Sequence, residues 1–414
     1  MRRLRALVPC AVLAALVPVA TPLRALPPPD APACRVFPRN NVWNTRVDRL
    51  PRHPRNADWL ATMEASTTRL HPDFGPSDGF PYGIPYEVVP GSHRKVAVEF
   101  LYADESDAGP YPFDGATPIE GGPGADGDRH ALMIDRDRCV LYELFDAHWN
   151  GGSPRAGSGA IFDLSRNLLR PAGWTSADAA GLPVFPGLVR LDEVRAGRID
   201  HAIRFTARRT DRRFIWPARH QAGEALDPTL PPMGARFRLK RSFDIEGYRD
   251  DTRVILRAMK RYGLILADNG SNWFFQGTAE PGWPAGMLDE LKRVPASAFE
   301  AVDTGPLRIA AGSARARQYP RLTAELRPAS IQVGERAVVS GTVRPAADRT
   351  VILQRLSDGA WREVSRRAPN PDGSYRFAVR PSTEGTRTYR VRVPADRLYF
   401  GATSAPMRLR VSSP

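Results

Sequence analysis

Hydrophobic and polar positions divide the chain into two unlike stretches. From Val96 to Ala103 the apolar residues Val96, Val98, Phe100 and Tyr102 alternate with Ala97, Glu99, Leu101 and Ala103, a period of two that predicts a strand. The chain next runs through a loop rich in carboxylates, glycines and prolines. Ala131 to Ile134 and Cys139 to Phe145 then read as the arms of a hairpin turning at Asp135 to Arg138. Further strands are expected at Tyr86 to Val89, Ile161 to Leu164, Leu188 to Glu193, His201 to Thr206, Arg236 to Lys240 and Leu264 to Ala267. Phe214 to Trp216 is expected to pair with His201 to Thr206. One long helix is expected, capped by Asp251 or Thr252, with Val254, Ile255, Ala258, Met259 and Tyr262 at helical spacing and Gly263 ending it. Asn56 is placed to cap a short helix over Ala57 to Ser66, and another helix is expected from Ala285 to Val294.

From Arg321 the pattern changes to short alternating runs separated by turns such as Ser357-Asp358-Gly359 and Pro371-Asp372-Gly373. Seven strands are expected, at 322–326, 337–343, 350–354, 361–365, 375–379, 388–393 and 407–411. This cadence, without cysteines, predicts an immunoglobulin-like or fibronectin-like sandwich. The fold class is therefore mainly β: a β-sandwich or jelly-roll-like first domain with a few helices (residues 26–303), a linker (304–320) and an immunoglobulin-like sandwich (321–414).

The first residues carry a different signal. Arg2, Arg3 and Arg5 precede an apolar run from Ala6 to Ala20, too short to span a bilayer, with Ala20 or Ala25 as cleavage points. Residues 1–25 are read as a signal peptide and the protein as secreted. Cys10 lies within that segment, which leaves Cys34 and Cys139 to form one disulfide in an oxidising compartment. The net charge is +14, but only Lys95, Lys240, Lys260 and Lys292 are lysines. The arginines are scattered along the chain, which argues against a nucleic-acid groove.

Candidate chemistry concentrates in the loop before the hairpin, where Asp104, Glu105, Asp107, Glu120, Asp128 and His130 are acid, base or nucleophile candidates. Three uses are open to it. Two carboxyls in unlike environments can divide acid and base roles on a glycosidic bond. Asp104, Asp107, Glu120 and Asp126 can supply oxygens to Ca2+. Asp128 or Glu143 can orient His130 as a general base. Against these stands a structural reading, in which Asp104 and Asp107 cap turns and Glu120 pairs with Arg129. Convergence of His130, His201 and His220 would suit zinc, although histidines on apolar strand faces are more often core residues. Gly157-Ser158-Gly159 lacks the full nucleophile elbow, because Ala156 stands at the first glycine position. Trp174, Trp216 and Trp273 beside polar turns, with Asp178, His201, Arg219, His220, Asp268 and Asn269, form the candidate sugar-binding set; core packing is the alternative for each tryptophan.

Residues 34 to about 303 resemble a family of secreted bacterial and fungal proteins of uncharacterised activity. The resemblance rests on Asn41-Val42-Trp43-Asn44, Ala103 to Asp107, Glu120-Gly121-Gly122, Gly127 to His130, Gly173 to Arg190, His201 to Thr206, Pro217 to His220 and Tyr262 to Ser271. It implies export and an acidic, aromatic surface and supplies no catalytic residues. The functional expectation is a glycoside hydrolase acting on an extracellular polysaccharide; the alternative is a non-catalytic wall- or matrix-binding protein.

Overall fold

The computed structural model describes residues 25–76, 81–122 and 124–413, so the expected signal peptide falls outside the described residues apart from Ala25. The chain is mainly β and built from several sheets. A six-stranded sheet runs in the order His71–Asp73, Phe274–Gln276, Ile203–Ala207, Leu264–Asn269, Arg236–Leu239 and Phe299–Val302. It is mixed: Ile203–Ala207 and Leu264–Asn269 are parallel, as are His71–Asp73 and Phe274–Gln276. Parallel neighbours need a crossover, and here the crossover carries the helix Asp250–Arg261. That helix buries Val254, Ile255, Leu256, Ala258 and Met259 and packs on the strand Arg236–Leu239. Gly263 then turns the chain with φ +74°, where a Cβ would lie 2.2 Å from the Phe237 carbonyl oxygen; only glycine fits there.

A second sheet contains Tyr86–Val89, Ala131–Asp135, Val140–Phe145 and Ser158–Asp163 in that order. The expected hairpin is its centre, with Ala131 opposite Leu144 and Asp135 opposite Val140. Leu132, Ile134 and Leu141 enter the main core, while Ala131, Met133, Tyr142 and Leu144 pack with Val98, Tyr111 and Phe113 on the other face. Burial on both faces explains an uninterrupted apolar run rather than alternation.

The disulfide joins Cys34 to Cys139, with Cα atoms 5.1 Å apart, and ties the start of the described chain to this hairpin. All seven C-terminal runs form strands. They divide between one sheet containing Ala337–Arg344 and Ser374–Val379 and another containing Val351–Ser357, Ala360–Arg367, Gly385–Val393 and Met407–Ser412. Their inward positions, including Val339, Leu353, Tyr375, Phe377, Val391 and Leu409, form a separate apolar core, the arrangement of an immunoglobulin-like sandwich.

Several local expectations change. Val96 to Ala103 is not one strand: Val96 makes an isolated bridge with Tyr111, Glu99–Phe100 pairs with Arg155–Ala156, and Ala103–Glu105 coils into a 3-10 turn. Leu101 and Tyr102 stay exposed because no neighbouring strand covers them. Leu188 to Glu193 also gives no strand, since Leu191–Arg195 is a short helix. Asp211–Phe214 pairs with Pro232–Met233 rather than with the strand after His201. Asn56 begins its helix, Asn56–Thr62, without capping it; its side-chain oxygen accepts the Ala301 N–H at 2.7 Å. Thr252 likewise lies inside its helix and donates its hydroxyl to Glu290 at 2.5 Å.

Candidate functional site

The carboxylate loop meets the six-stranded sheet across the segment Trp174 to Leu182. His130, just before the strand Ala131–Asp135, is buried and used at both ring nitrogens. Nδ1 lies 2.5 Å from Glu120 Oε2 and Nε2 lies 2.9 Å from the Ala177 carbonyl oxygen. Two acceptors on one imidazole call for two N–H donors, the protonated ring. Burial alone would lower its pKa, but the Glu120 carboxylate outweighs burial and lifts it to about 9. Conversely, burial works to raise Glu120, and His130 holds it below the usual carboxylate range.

Arg204 comes from the strand Ile203–Ala207 and is buried, a position that demands counter-charge. Its Nε and Nη2 reach Asp178 Oδ2 and Oδ1 at 2.9 and 2.7 Å, a bidentate pair. Asp268 Oδ2 lies 3.5 Å from the same guanidinium. A bulge makes that contact possible. Leu266 pairs with Phe205 but Asp268, not Ala267, pairs with Thr206. One extra residue therefore brings Asp268 to the face that carries Arg204 and Thr206. The Ala267 carbonyl accepts the Ala180 N–H at 2.8 Å, so the same bulge anchors the loop bearing Asp178. Gly181 closes that loop with φ +66°; a Cβ there would lie 2.4 Å from the Trp174 oxygen.

The carboxyls in this cluster titrate in opposite directions. Burial and the neighbouring Asp178 charge push Asp268 well above the ordinary aspartate value, against Arg204 and His130, which pull it down. Asp268 is thus shifted towards the acid form and Glu120 towards the ionised form, both around the Arg204 and His130 charges. Their side chains are 21% and 27% exposed, whereas Asp178 is wholly enclosed. Asp128 is exposed at the rim, and its charge acts on both His130 and Asp268. Glu143 lies beneath, accepting the Val184 and Phe185 N–H groups at 2.9 Å each, and burial pushes it up to about 7.

The other candidates separate from this cluster. Asp104 is exposed on the 3-10 turn. Glu105 accepts the Thr175 N–H at 3.0 Å and lies 3.7 Å from His220 Nε2. His220 Nδ1 contacts the Ala179 oxygen at 2.9 Å, so both residues flank the Asp178 loop. Asp107 is structural: it accepts the Ile161 N–H at 2.8 Å and pairs with Arg170, which also donates to the Thr175 and Glu105 oxygens. Two of the four expected Ca2+ ligands are already engaged, Asp107 by Arg170 and Glu120 by His130, while Asp104 and Asp126 are exposed. Among the described residues no group of three or more His, Cys, Asp or Glu is arranged to hold a metal. The free general base expected at His130 is also corrected, because neither ring nitrogen is open. Arg129 does not serve as the partner of Glu120; its guanidinium donates to the Ala147 and Ala125 oxygens.

His201 belongs to a different network. Its Nε2 lies 3.0 Å from Glu193, which is 3.4 Å from Arg190, and all three are buried. Trp273 is a core residue, stacked on Phe205 and bonded through Nε1 to the Met63 oxygen at 2.9 Å. Trp216 is likewise buried, donating to the Ser313 oxygen. Arg219 spends its guanidinium on the Arg170 and Ala311 oxygens, and Asn269 bonds Ala222 and Thr210. Of the three candidate tryptophans only Trp174 is half exposed, with the Arg170 guanidinium 5.4 Å above its ring. Arg204 was absent from the sequence candidates; its signal was an arginine within an otherwise apolar strand.

No family model matches the chain, and no curated protein does. Solved structures do match over limited shares. The structure titled Dpr1 IG1 bound to DIP-eta IG1 aligns at 12% identity and TM-score 0.19, covering 22% of this chain and 95% of its own. A CARDB domain from Pyrococcus furiosus aligns at 17% and 0.17, covering 23% and 96%. The PKD domain of an M14-like peptidase from a Thermoplasmatales archaeon aligns at 17% and 0.16, covering 23% and 93%. The C-terminal sandwich is defined by its own strand pairing. No helix among the described residues is long and apolar enough to cross a membrane.

Proposed function

We propose that the protein is a secreted glycoside hydrolase acting on an extracellular polysaccharide, with residues 26–303 as the active domain and residues 321–414 as an immunoglobulin-like spacer. Asp268 acts as general acid on the glycosidic oxygen and Glu120 as the ionised base or nucleophile. The single observation that carries this reading is the pair of partly accessible carboxyls with opposed titration over one Arg204–His130 floor, the pattern by which two like groups take unlike roles. Asp178 fixes Arg204, and His130 fixes Glu120. The resemblance to secreted proteins around Glu120-Gly121-Gly122, Gly127 to His130 and His201 to Thr206 covers these same segments.

A second reading, a non-catalytic wall- or matrix-binding protein, is favoured by the enclosed Asp178–Arg204 pair and by the engagement of Asp107 with Arg170. The two readings divide on a release assay with the purified protein against plant, fungal and bacterial wall polysaccharides, beside Asp268→Asn and Glu120→Gln. Sugar release abolished in both folded variants supports the hydrolase. No release by the parent protein from any polymer, with binding retained, leaves the binding protein.

A further inference from the structure

Six of the arginines scattered along the sequence come together in space. A cleft of about 1040 Å3 opens between the N-terminal region and the C-terminal sandwich and is lined by six arginines, Arg35, Arg39, Arg46, Arg49, Arg261 and Arg321, against two aspartates, Asp48 and Asp200. Asp48 is taken by Arg46 through a bidentate pair at 3.0 and 2.5 Å. Asp200 receives the Tyr262 hydroxyl at 3.3 Å and lies 3.9 Å from Arg198. Among the described residues Arg35, Arg39, Arg261 and Arg321 have no carboxylate within 4 Å, and all four are exposed. Burial and then the like charge of Arg321 depress Arg39, the signature of cations crowded without a counter-ion.

The walls are rigid. Gln318, on the segment between the two regions, donates its side chain to Thr45 at 2.8 Å and its backbone N–H to the Leu398 oxygen at 3.0 Å. Tyr319 stacks on Phe400 with ring centroids 4.4 Å apart, and Arg49 lies 5.4 Å over the Tyr319 ring. Guanidinium forks match carboxylates bidentately, and aromatic surfaces with amide and hydroxyl groups suit sugar rings.

We propose that this cleft binds an acidic oligosaccharide, a glycan segment bearing several carboxylates along its length. The site is separate from the Asp268 cluster and does not require the hydrolase reading. Arg39 and Arg321, close enough for the charge of one to act on the other, grip the anionic groups, while Tyr319, stacked on Phe400, and Gln318, bonded to Thr45, hold the cleft in shape.

The test is calorimetric binding of an oligogalacturonate to the purified protein at low and high salt, beside neutral maltohexaose and an inorganic polyphosphate of equal charge. Arg39→Gln/Arg321→Gln is compared with the surface control Arg362→Gln/Arg376→Gln. The expected result is salt-sensitive binding of the oligogalacturonate only, weakened at least tenfold in the cleft variant and unchanged in the control. Absence of binding at low salt, equal loss in the control, or equal affinity for polyphosphate would each overturn the proposal. Asp268→Asn binds normally under this proposal, so failure of the hydrolase reading and failure of the cleft are read separately.

Discussion

Two histidine–carboxylate pairs in this protein look chemically alike and lie in unlike surroundings. His201 and Glu193, 3.0 Å apart, are enclosed with Arg190, and every charge in that trio has its partner inside the core. His130 and Glu120, 2.5 Å apart, sit at a rim where Glu120 and Asp268 remain partly accessible. In the trio at His201 burial would raise Glu193, but Arg190, which also holds Asp192, and then His201 keep it below the usual carboxylate range. Around Arg204 the balance is reversed. One guanidinium serves both Asp178 and Asp268, and burial together with the neighbouring Asp178 charge raises Asp268 well above the ordinary aspartate value. Surplus charge of one sign, with access, distinguishes a site that can exchange protons from one that only holds the fold together.

The sharpest way to break this contrast is to substitute an acid in each region. Asp268→Asn is expected to lower glycan release by about 10²- to 10⁴-fold, the usual worth of a general acid, without lowering the melting temperature. The amide removes a carboxyl whose ionisation the fold opposes, so at pH above the folded pKa the variant is as stable as the parent or more so. Glu193→Gln should do the reverse. It removes the buried carboxylate between Arg190 and His201 while Arg190 keeps Asp192, at a cost of about 3 kcal/mol, and any protein that stays folded keeps its specific activity. Thermal melts and release rates on the same preparations check both.

A smaller effect follows from pH. His130 has a folded pKa raised from 6.5 to about 9, so the stability of its pair with Glu120 is fully present below pH 6.5 and is lost as pH rises through about 9. At the acid end the depressed Glu120 carries the sign the other way, and the pair weakens as pH falls below the ordinary glutamate range. Between pH 6 and 10 the alkaline loss is about 3 kcal/mol. Chemical denaturation at these pH values should show it, and His130→Gln should remove that part of the slope. Asp107→Asn is expected to cost about 1 kcal/mol, since its ion pair with Arg170 is one-third exposed and screened. Activity should remain. Asp104→Asn, on an exposed turn, should change stability by less than about 0.5 kcal/mol.

What the sequence made legible follows the range of the interactions involved. The hairpin, the long helix and the seven C-terminal strands are set by local periodicity, and they are found where Leu132, Val254 and Val339 repeat their patterns. The run from Val96 to Ala103 has the same alternation, yet it yields only an isolated bridge at Val96 and a two-residue strand at Glu99–Phe100, because a strand also needs a neighbour along its whole length. Glu120, Asp128 and His130 could be singled out as a local crowd of charges. Their juxtaposition with Asp178, Arg204 and Asp268 depends on parallel pairing across a crossover and on one bulged residue, Ala267. No local pattern encodes that. Trp273 and Trp216 illustrate the opposite error: a polar turn beside an indole says nothing about which way its ring points, and both point inward.

The central claim is that Asp268 carries a proton while Glu120 beside it does not. Side-chain carboxyl 13C NMR on protein labelled at Asp and Glu, with Asp268→Asn and Glu120→Gln for assignment, measures this directly. The account predicts an Asp268 resonance that ionises well above the ordinary aspartate range and a Glu120 resonance that ionises below the ordinary glutamate range. An Asp268 that ionises in the ordinary aspartate range would contradict it and remove the basis for acid catalysis at this site.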